Sequence, residues 1–379
     1  MWIEYDSLRV IWWGILGFLM TGFGVLGGID LGCGMLLPFV TKTNNERKIL
    51  LHSIKGTWES NQVWFITGGG VLFAAWPYVY SVVFSTMYFA LFAVLVALIL
   101  RPVGFDYRSK IDDSRWRSMW DKALFIGGFV PTLVFGVAIG NLMEGVNFAF
   151  DNFMVVQNKV SFFSLFSPFS LLCGVLAVAM LSTQGSTFLM MKTDGDIARR
   201  ARKIAILLPF LTVALFAVGG YMVQNLFGYK LLARSGVDLY SNPMGKAVAY
   251  KAGAWLENYT IYPWMRILPI SGFLSSLAVV TFALLKRPAF AFLFSSLTVI
   301  SIMATFGLSM FPFIVPSKLD YHHSLTVWDS SSSYLSLLIM LGVMIIFMPI
   351  VLCFIGFANK VMFGKVTEAD LKKHDKQSY

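Results

Sequence analysis

Nine apolar runs follow one another along this chain, most of them about as long as a helix needs to cross a bilayer. A hydrocarbon core about 30 Å thick takes roughly 20 residues at 1.5 Å rise per residue. The runs cover 10–40, 62–76, 80–103, 122–145, 162–190, 203–228, 264–285, 288–316 and 334–359. Only 13% of the 379 residues are charged and the mean hydropathy is +0.70. A soluble domain carries about a quarter charged residues, so most of this surface has to face lipid. No segment shows the alternation of a membrane β-barrel. The expected fold is an all-α polytopic helix bundle with about nine transmembrane helices in one integral membrane domain, 1–379.

The first run is long and rich in glycine, which predicts a kink or break near Gly27–Gly28. The second is short, and Pro77 separates it from the third, which predicts a tight helical hairpin. Trp76–Pro77 and Phe311–Pro312 end apolar runs alike, a hint of two related four-helix bundles plus one peripheral helix. The 229–263 connection shows only turn signals, at Asn242–Pro243 and Gly245. The N-terminal run is too long, and its flank too acidic, for a cleavable signal peptide.

Charge sets the expected orientation. The connections around 41–61, 101–122, 192–203 and 286–287, with the tail after 359, hold 22 of the 30 Lys and Arg residues. The positive-inside rule makes that side cytoplasmic, with the N-terminus outside and the C-terminus inside. Merging the second and third runs would break this alternation. The net charge of +10 thus reads as membrane topology rather than nucleic-acid binding.

Ionisable groups at membrane depth are costly, so each is informative. Asp30 lies deep in the first run with no other charge within six residues. It has to face protein or water, in a proton route or an inter-subunit hydrogen bond. Glu59 opens the second run in Trp58-Glu59-Ser60-Asn61-Gln62. Asp106 and Lys110 follow the third; a solvated cytoplasmic pair is an equal alternative to a functional one. Glu144 ends the fourth run, and Asp329 precedes a Ser330–Ser333 stretch that reads as a helix start.

The four histidines, His52, His322, His323 and His374, all fall in connections or the tail. A haem or metal buried in this chain would ordinarily need a histidine on a membrane helix. No catalytic, cofactor-binding or metal site is therefore expected; His322–His323 is a weak outer metal candidate beside the reading of two solvated histidines. Cys33, Cys173 and Cys353 lie in apolar runs with no metal-ligand spacing, and buried packing is expected for them. Gly68-Gly69-Gly70 reads as a helix-packing surface. Walker A, HExxH and Gly-x-Ser-x-Gly patterns are absent.

Several stretches together resemble subunit II of the cytochrome bd quinol oxidases over essentially the whole chain. They are Leu8-Arg9-Val10-Ile11-Trp12-Trp13, Trp58 to Trp64, Leu72 to Pro77, Arg101 to Lys110, Gly140-Asn141-Leu142, Gly253-Ala254-Trp255, Met310 to Phe313 and Ser324 to Asp329. The resemblance implies a bacterial inner-membrane complex that oxidises quinol and reduces oxygen to water. Its haem-bearing subunit I would ligate two haems b and one haem d. This chain would support that partner and line a proton path, small single-helix subunits could join, and a structural quinone could bind. By the same resemblance, Asp106, Lys110 and the terminal Tyr379 match the path's cytoplasmic entrance. Glu59 matches an acid further along it, and Asp30 matches the retained acid of the Gly-x-Asp-x-Gly motif. Gly27 stands where relatives often carry a further Asp. A secondary transporter with a midplane site is the alternative, and a purely structural subunit a third reading. No second charged partner stands in the middle runs as a transporter would suggest.

Overall fold

The computed structural model describes residues 3–158, 161–234, 241–361 and 364–366. The first run forms α1 (Tyr5–Gly22), a π turn at Phe23–Gly27 and α2 (Gly28–Val40). The expected break is therefore one turn of wider helix, a usual way of relieving strain inside a long helix. A short connection leads into α3 (Asn44–Lys55). Thr43 caps it: its side chain accepts from the Glu46 N–H, and Glu46 accepts in return from the Lys42 and Thr43 N–H groups. Burial acts to raise the Glu46 pKa, but those backbone donors and the Arg200 guanidinium outweigh it and hold the carboxyl below its usual range.

The second and third runs divide differently from the expected hairpin. They give α4 (Trp58–Ala75), α5 (Pro77–Thr86) and α6 (Tyr88–Tyr107). Between α4 and α5 the chain turns by 118° at Trp76–Pro77. Proline has no N–H to continue α4, yet it suits the first position of α5. Residues 80–86, expected in the third span, thus belong to the short bent helix. Phe311–Pro312 behaves otherwise, since a strand follows it.

The remaining helices are α7 (Ser114–Glu144), α8 (Pro168–Lys192), α9 (Gly195–Asn225), the short α10 (Asn258–Ile261), α11 (Ile267–Leu284), α12 (Pro288–Met310) and α13 (Tyr334–Val361). Among the described residues eight helical segments are long and apolar enough to cross a membrane, and nine when the bent α4–α5 pair counts as one. Helix α13 starts at Tyr334 rather than within the serine stretch. The Ser333 hydroxyl accepts from the Ser336 N–H, while Asp329 instead braces the turn before it by accepting from Thr326.

Helices α8, α9, α11 and α12 pack in a closed ring. In the other half α6 lies on α7, α7 on α2, and α4 on α1 and the π turn. The two halves meet where α2 and α7 pack on α8, whose apolar window is 72% buried against 6% for the peripheral α13. At that meeting the helices approach backbone to backbone. A Cβ on Gly32 would collide with the Leu181 carbonyl, and one on Gly185 would lie 2.5 Å from the Gly32 carbonyl carbon. Gly128 stands 2.6 Å from the Leu31 carbonyl oxygen by the same measure. Close packing of small residues replaces the hydrophobic drive that lipid cannot supply. The expected packing role of Gly68–Gly70 holds for Gly68, which faces the Met20 side chain, while Gly69 and Gly70 meet open space.

The ends opposite the basic connections carry three antiparallel two-stranded ribbons. They pair β1 (Phe148–Phe150) with β2 (Val156–Asn158), β3 (Phe227–Ala233) with β4 (Ala247–Ala252), and β5 (Phe313–Val315) with β6 (Leu325–Thr326). The unassigned 229–263 connection thus contains most of the β3–β4 ribbon, followed by α10. Asn242 makes a local turn there by accepting from the Met244 N–H. Of the three cysteines only Cys33 is fully buried; Cys353 lies exposed on α13, which corrects the expectation of buried packing for it.

Candidate functional site

Asp30 is completely buried one turn into α2, within Gly28-Ile29-Asp30-Leu31-Gly32. One carboxylate oxygen accepts a 2.8 Å hydrogen bond from Asn61 Nδ2, in the first turn of α4. A second group faces it from α6. Arg101 is 3% exposed and acts on Asp30 through space, without a direct ion pair among the described residues. Gly127 of α7 makes room for the stem of that side chain, since a Cβ there would lie 2.6 Å from Arg101 Cγ. Asp30 Oδ1, Asn61 Oδ1 and Arg101 Nη2 are buried with no hydrogen-bond partner among the described residues. Buried polar atoms of this kind ordinarily bond to water or to another chain.

Arg101 was counted above as a loop charge, and the structure corrects this. It is a buried cation inside α6. Asn61 was only part of a matching stretch, and its role at Asp30 was not foreseen. The signal for Arg101 was its position, since Val103-Gly104-Phe105 carry the apolar run past it.

The other expected residues lie nearer the surface. Asp106 is exposed at the end of α6 and pairs with Lys55 at 3.1 Å. Both groups are solvated, so the pair contributes under about 1 kcal/mol. Lys110 is exposed in the turn after α6. Glu59 is exposed on the first turn of α4. It lies two residues, about 200° of helix, from Asn61, so one points outward while the other points to Asp30. The rings of Trp58 and Phe105, next to Glu59 and Asp106 in the chain, lie 5.8 Å apart between centroids. The structure therefore pairs Asp106 with Lys55 at the surface, leaves Glu59 exposed at the start of α4, and sets the Asp30–Asn61–Arg101 group in the core. Tyr379 lies outside the described residues.

This edge is held by α3. Buried Arg108 donates to Asp121 at 2.6 and 3.2 Å and to Asn44 at 3.1 Å, and Arg47 reaches Asp121 at 2.9 Å. Arg200 of α9 bonds Glu46 from the other side.

On the opposite face the histidines are structural ties. His323 Nδ1 accepts the Phe150 N–H at 3.1 Å, and His322 Nδ1 lies between the Val248 N–H at 3.3 Å and the Lys246 carbonyl oxygen at 3.2 Å. A nitrogen so used has no lone pair left for a metal. Among the described residues no three His, Cys, Asp or Glu side chains come together as a metal cluster. Burial pushes the His323 pKa down, against the pull of Asp320. Asp329, read as a helix-start residue, pairs with the buried Lys246 at 3.0 Å. Glu144 bonds the Ser167 hydroxyl at 2.8 Å.

A separate cavity of about 550 Å³ lies among α7, α8, α9, α11 and α12 toward the ribbon-bearing ends. Leu172, Phe216, Phe273 and Met303 give it apolar walls, and Gln224, Tyr259 and Ser309 a polar edge. Tyr259 and Ser309 share a 2.7 Å hydrogen bond.

Comparison with known proteins adds the relatives. The sequence profile of the family described as cytochrome bd terminal oxidase subunit II matches residues 8–362. The chain is 44% identical over 380 residues to cytochrome bd-I ubiquinol oxidase subunit 2 of Escherichia coli (strain K12), covering all of both chains. It is 43% identical over 379 residues to a probable cytochrome oxidase subunit 2 of Haemophilus influenzae, again covering both in full. The bd oxidase structure from Geobacillus thermodenitrificans shares its fold with a TM-score of 0.70 at 16% identity, over 95% of this chain and 100% of that one.

The buried group makes an energetic prediction. Arg101→Met alone leaves Asp30 without its countercharge and costs up to about 3–5 kcal/mol. Adding Asp30→Asn recovers most of that loss. Thermal unfolding of the purified protein reads both, and equal losses in single and double variants would show that the two residues are uncoupled.

Proposed function

Because the chain belongs to the cytochrome bd terminal oxidase subunit II family, we propose that it works as the second subunit of a quinol-oxidising terminal oxidase, where it supplies a cytoplasmic proton-uptake seam and the scaffold for a haem-bearing subunit I. The observation that carries this reading is the pairing of an exposed acidic edge with a buried polar group behind it. Asp106 and Glu59 lie on the surface of this subunit, so the seam runs along a face that the partner covers rather than through the core. Lys55 pairs with Asp106 at its mouth, and Lys110 follows in the exposed turn after α6. Arg101 and Asn61 hold Asp30 at the inner end.

His52, His322 and His323 do not fit haem ligation at membrane depth, because among the described residues no histidine stands on a helix long and apolar enough to cross a membrane. The haems, two b and one d in this reading, supply the oxygen chemistry from the partner, and small single-helix subunits complete the complex. This chain moves protons to that chemistry and withholds water elsewhere. Oxygen reduction consumes protons, so uptake from the cytoplasm adds to the membrane potential. That direction requires the basic connections to be cytoplasmic, with the N-terminus periplasmic. The 550 Å³ cavity suits a quinone. Its apolar walls match an isoprenoid tail, and the hydroxyls of Tyr259 and Ser309 could donate to a carbonyl oxygen of the ring.

Asp106→Asn and Glu59→Gln are expected to slow oxygen consumption by roughly 10²-fold or more while leaving the visible haem spectrum of the purified complex intact. Unchanged turnover in both would refute the seam. External protease added to intact cells should leave the 41–61 connection uncut, whereas cleavage there would reverse the orientation. Gly220 borders the cavity and its Cβ position is open. Gly220→Trp should therefore lower the quinone extracted per complex by at least severalfold; a quinone content equal to the parent's would place the molecule elsewhere.

A further inference from the structure

A second basic feature of the inner face takes no part in the seam. Helix α7 rises out of the apolar region at its N-terminal end, where Trp116 and Trp120 sit at the depth expected of an interfacial aromatic belt. Trp116 is fixed there by donating its indole N–H to the Tyr107 carbonyl at 2.8 Å. On the exposed side of this end, Arg115, Ser118, Lys122 and Ile126 follow one another at helical spacing on one face. With Leu100 of α6 and Met119 they line an open groove of about 670 Å³ between α6 and α7.

The groove combines two cations and the hydroxyls of Ser114 and Ser118 with apolar lining from Leu100, Met119 and Ile126. Met119 sits between the two cations along the axis, and Ile126 lies one turn beyond Lys122. Arg115 and Lys122 are separated by seven residues, about 10 Å along the axis. Neither cation is in an ion pair among the described residues. The nearby acids are committed elsewhere: Asp112 pairs with Arg117, and Asp113 caps α7 by accepting the Arg115 N–H at 2.9 Å. Two uncommitted cations above an apolar cleft at the membrane surface complement one kind of molecule, with an anionic headgroup and an acyl chain below it.

We propose that this groove binds an anionic phospholipid, with its phosphate between Arg115 and Lys122, its glycerol oxygens against Ser118, and one acyl chain along Met119 and Ile126. The site is independent of the proton seam, since none of its residues belongs to that route.

The test uses the intact purified complex, delipidated in mild detergent. Phosphatidylglycerol carrying a photoactivatable acyl chain is added, and phosphatidylcholine with the same chain serves as the zwitterionic probe. Phosphatidylglycerol should cross-link to the 118–126 segment, and phosphatidylcholine should do so far less. A juxtamembrane cation is worth roughly fivefold in anionic-lipid binding, so Arg115→Gln with Lys122→Gln should weaken retention at this segment by about 30-fold. Arg199→Gln with Lys203→Gln, on another helix of the same face, should leave it unchanged. Excess inorganic phosphate should not displace the lipid. Equal labelling by the two lipids, undiminished labelling in the Arg115/Lys122 variant, an equal loss in the Arg199/Lys203 variant, or displacement by phosphate alone would each overturn the proposal.

Discussion

Three helices in this protein touch through their backbones, and the polar interior depends on that contact. Gly32 and Gly185 bring α2 against α8, Gly34 and Gly128 bring it against α7, and Gly136 and Gly140 bring α7 against α8. In lipid, apolar side chains gain little by leaving one apolar medium for another, so contact distance and hydrogen bonding decide which helices associate. A methyl group at the Gly32–Leu181 crossing would force backbone apart rather than bend a flexible side chain. The contact also fixes α2 in rotation as well as in distance. Asp30, two residues before Gly32, is thereby turned into the bundle toward Asn61. Gly127, beside Gly128, clears the space that lets Arg101 lie buried near it.

The edge that carries Lys55 and Asp106 is built on a different scale of energy. Exposed pairs such as Lys55–Asp106 contribute little to stability and are screened by salt. The buried Arg108–Asp121 pair, joined by Arg47 and Asn44, is the firm element and holds α3 across the ends of α6 and α7. This division suits the proposed function. The groups that would exchange protons are soft and wet, and the groups that hold them in place are dry and bidentate. On the opposite face the three ribbons are locked by Lys246–Asp329 and by the two histidine ring nitrogens. Burial lowers the Lys246 pKa, and Asp329 offsets part of that effect.

Gly27 has a local explanation. A Cβ at this position would lie 2.5 Å from the Phe23 ring, which fills the space beside the π turn. An acid side chain there would have to displace that ring. At this position the chain carries packing, and Asp30 is the buried acid of the first run.

The sequence by itself determined the class of fold, the approximate number of crossings and the family. Hydropathy acts residue by residue over windows of about 20, and motif order needs no coordinates. The break at Gly27–Gly28, the turn at Pro77 and the surface position of Asp106 were legible for the same local reasons. Only the tertiary structure decided which polar groups meet. Arg101 reads as a loop charge until Gly127 is seen beneath it, Asn61 reads as one polar residue among several until it is seen on Asp30, and Glu59 turns away from Asn61 because 200° of helix separates them. Such pairings join residues far apart in the chain: 26 positions separate Arg101 from Gly127 and 31 separate Asp30 from Asn61. They follow from how close two backbones can come and how the helices are rotated, and a linear pattern of apolar and charged residues carries neither quantity.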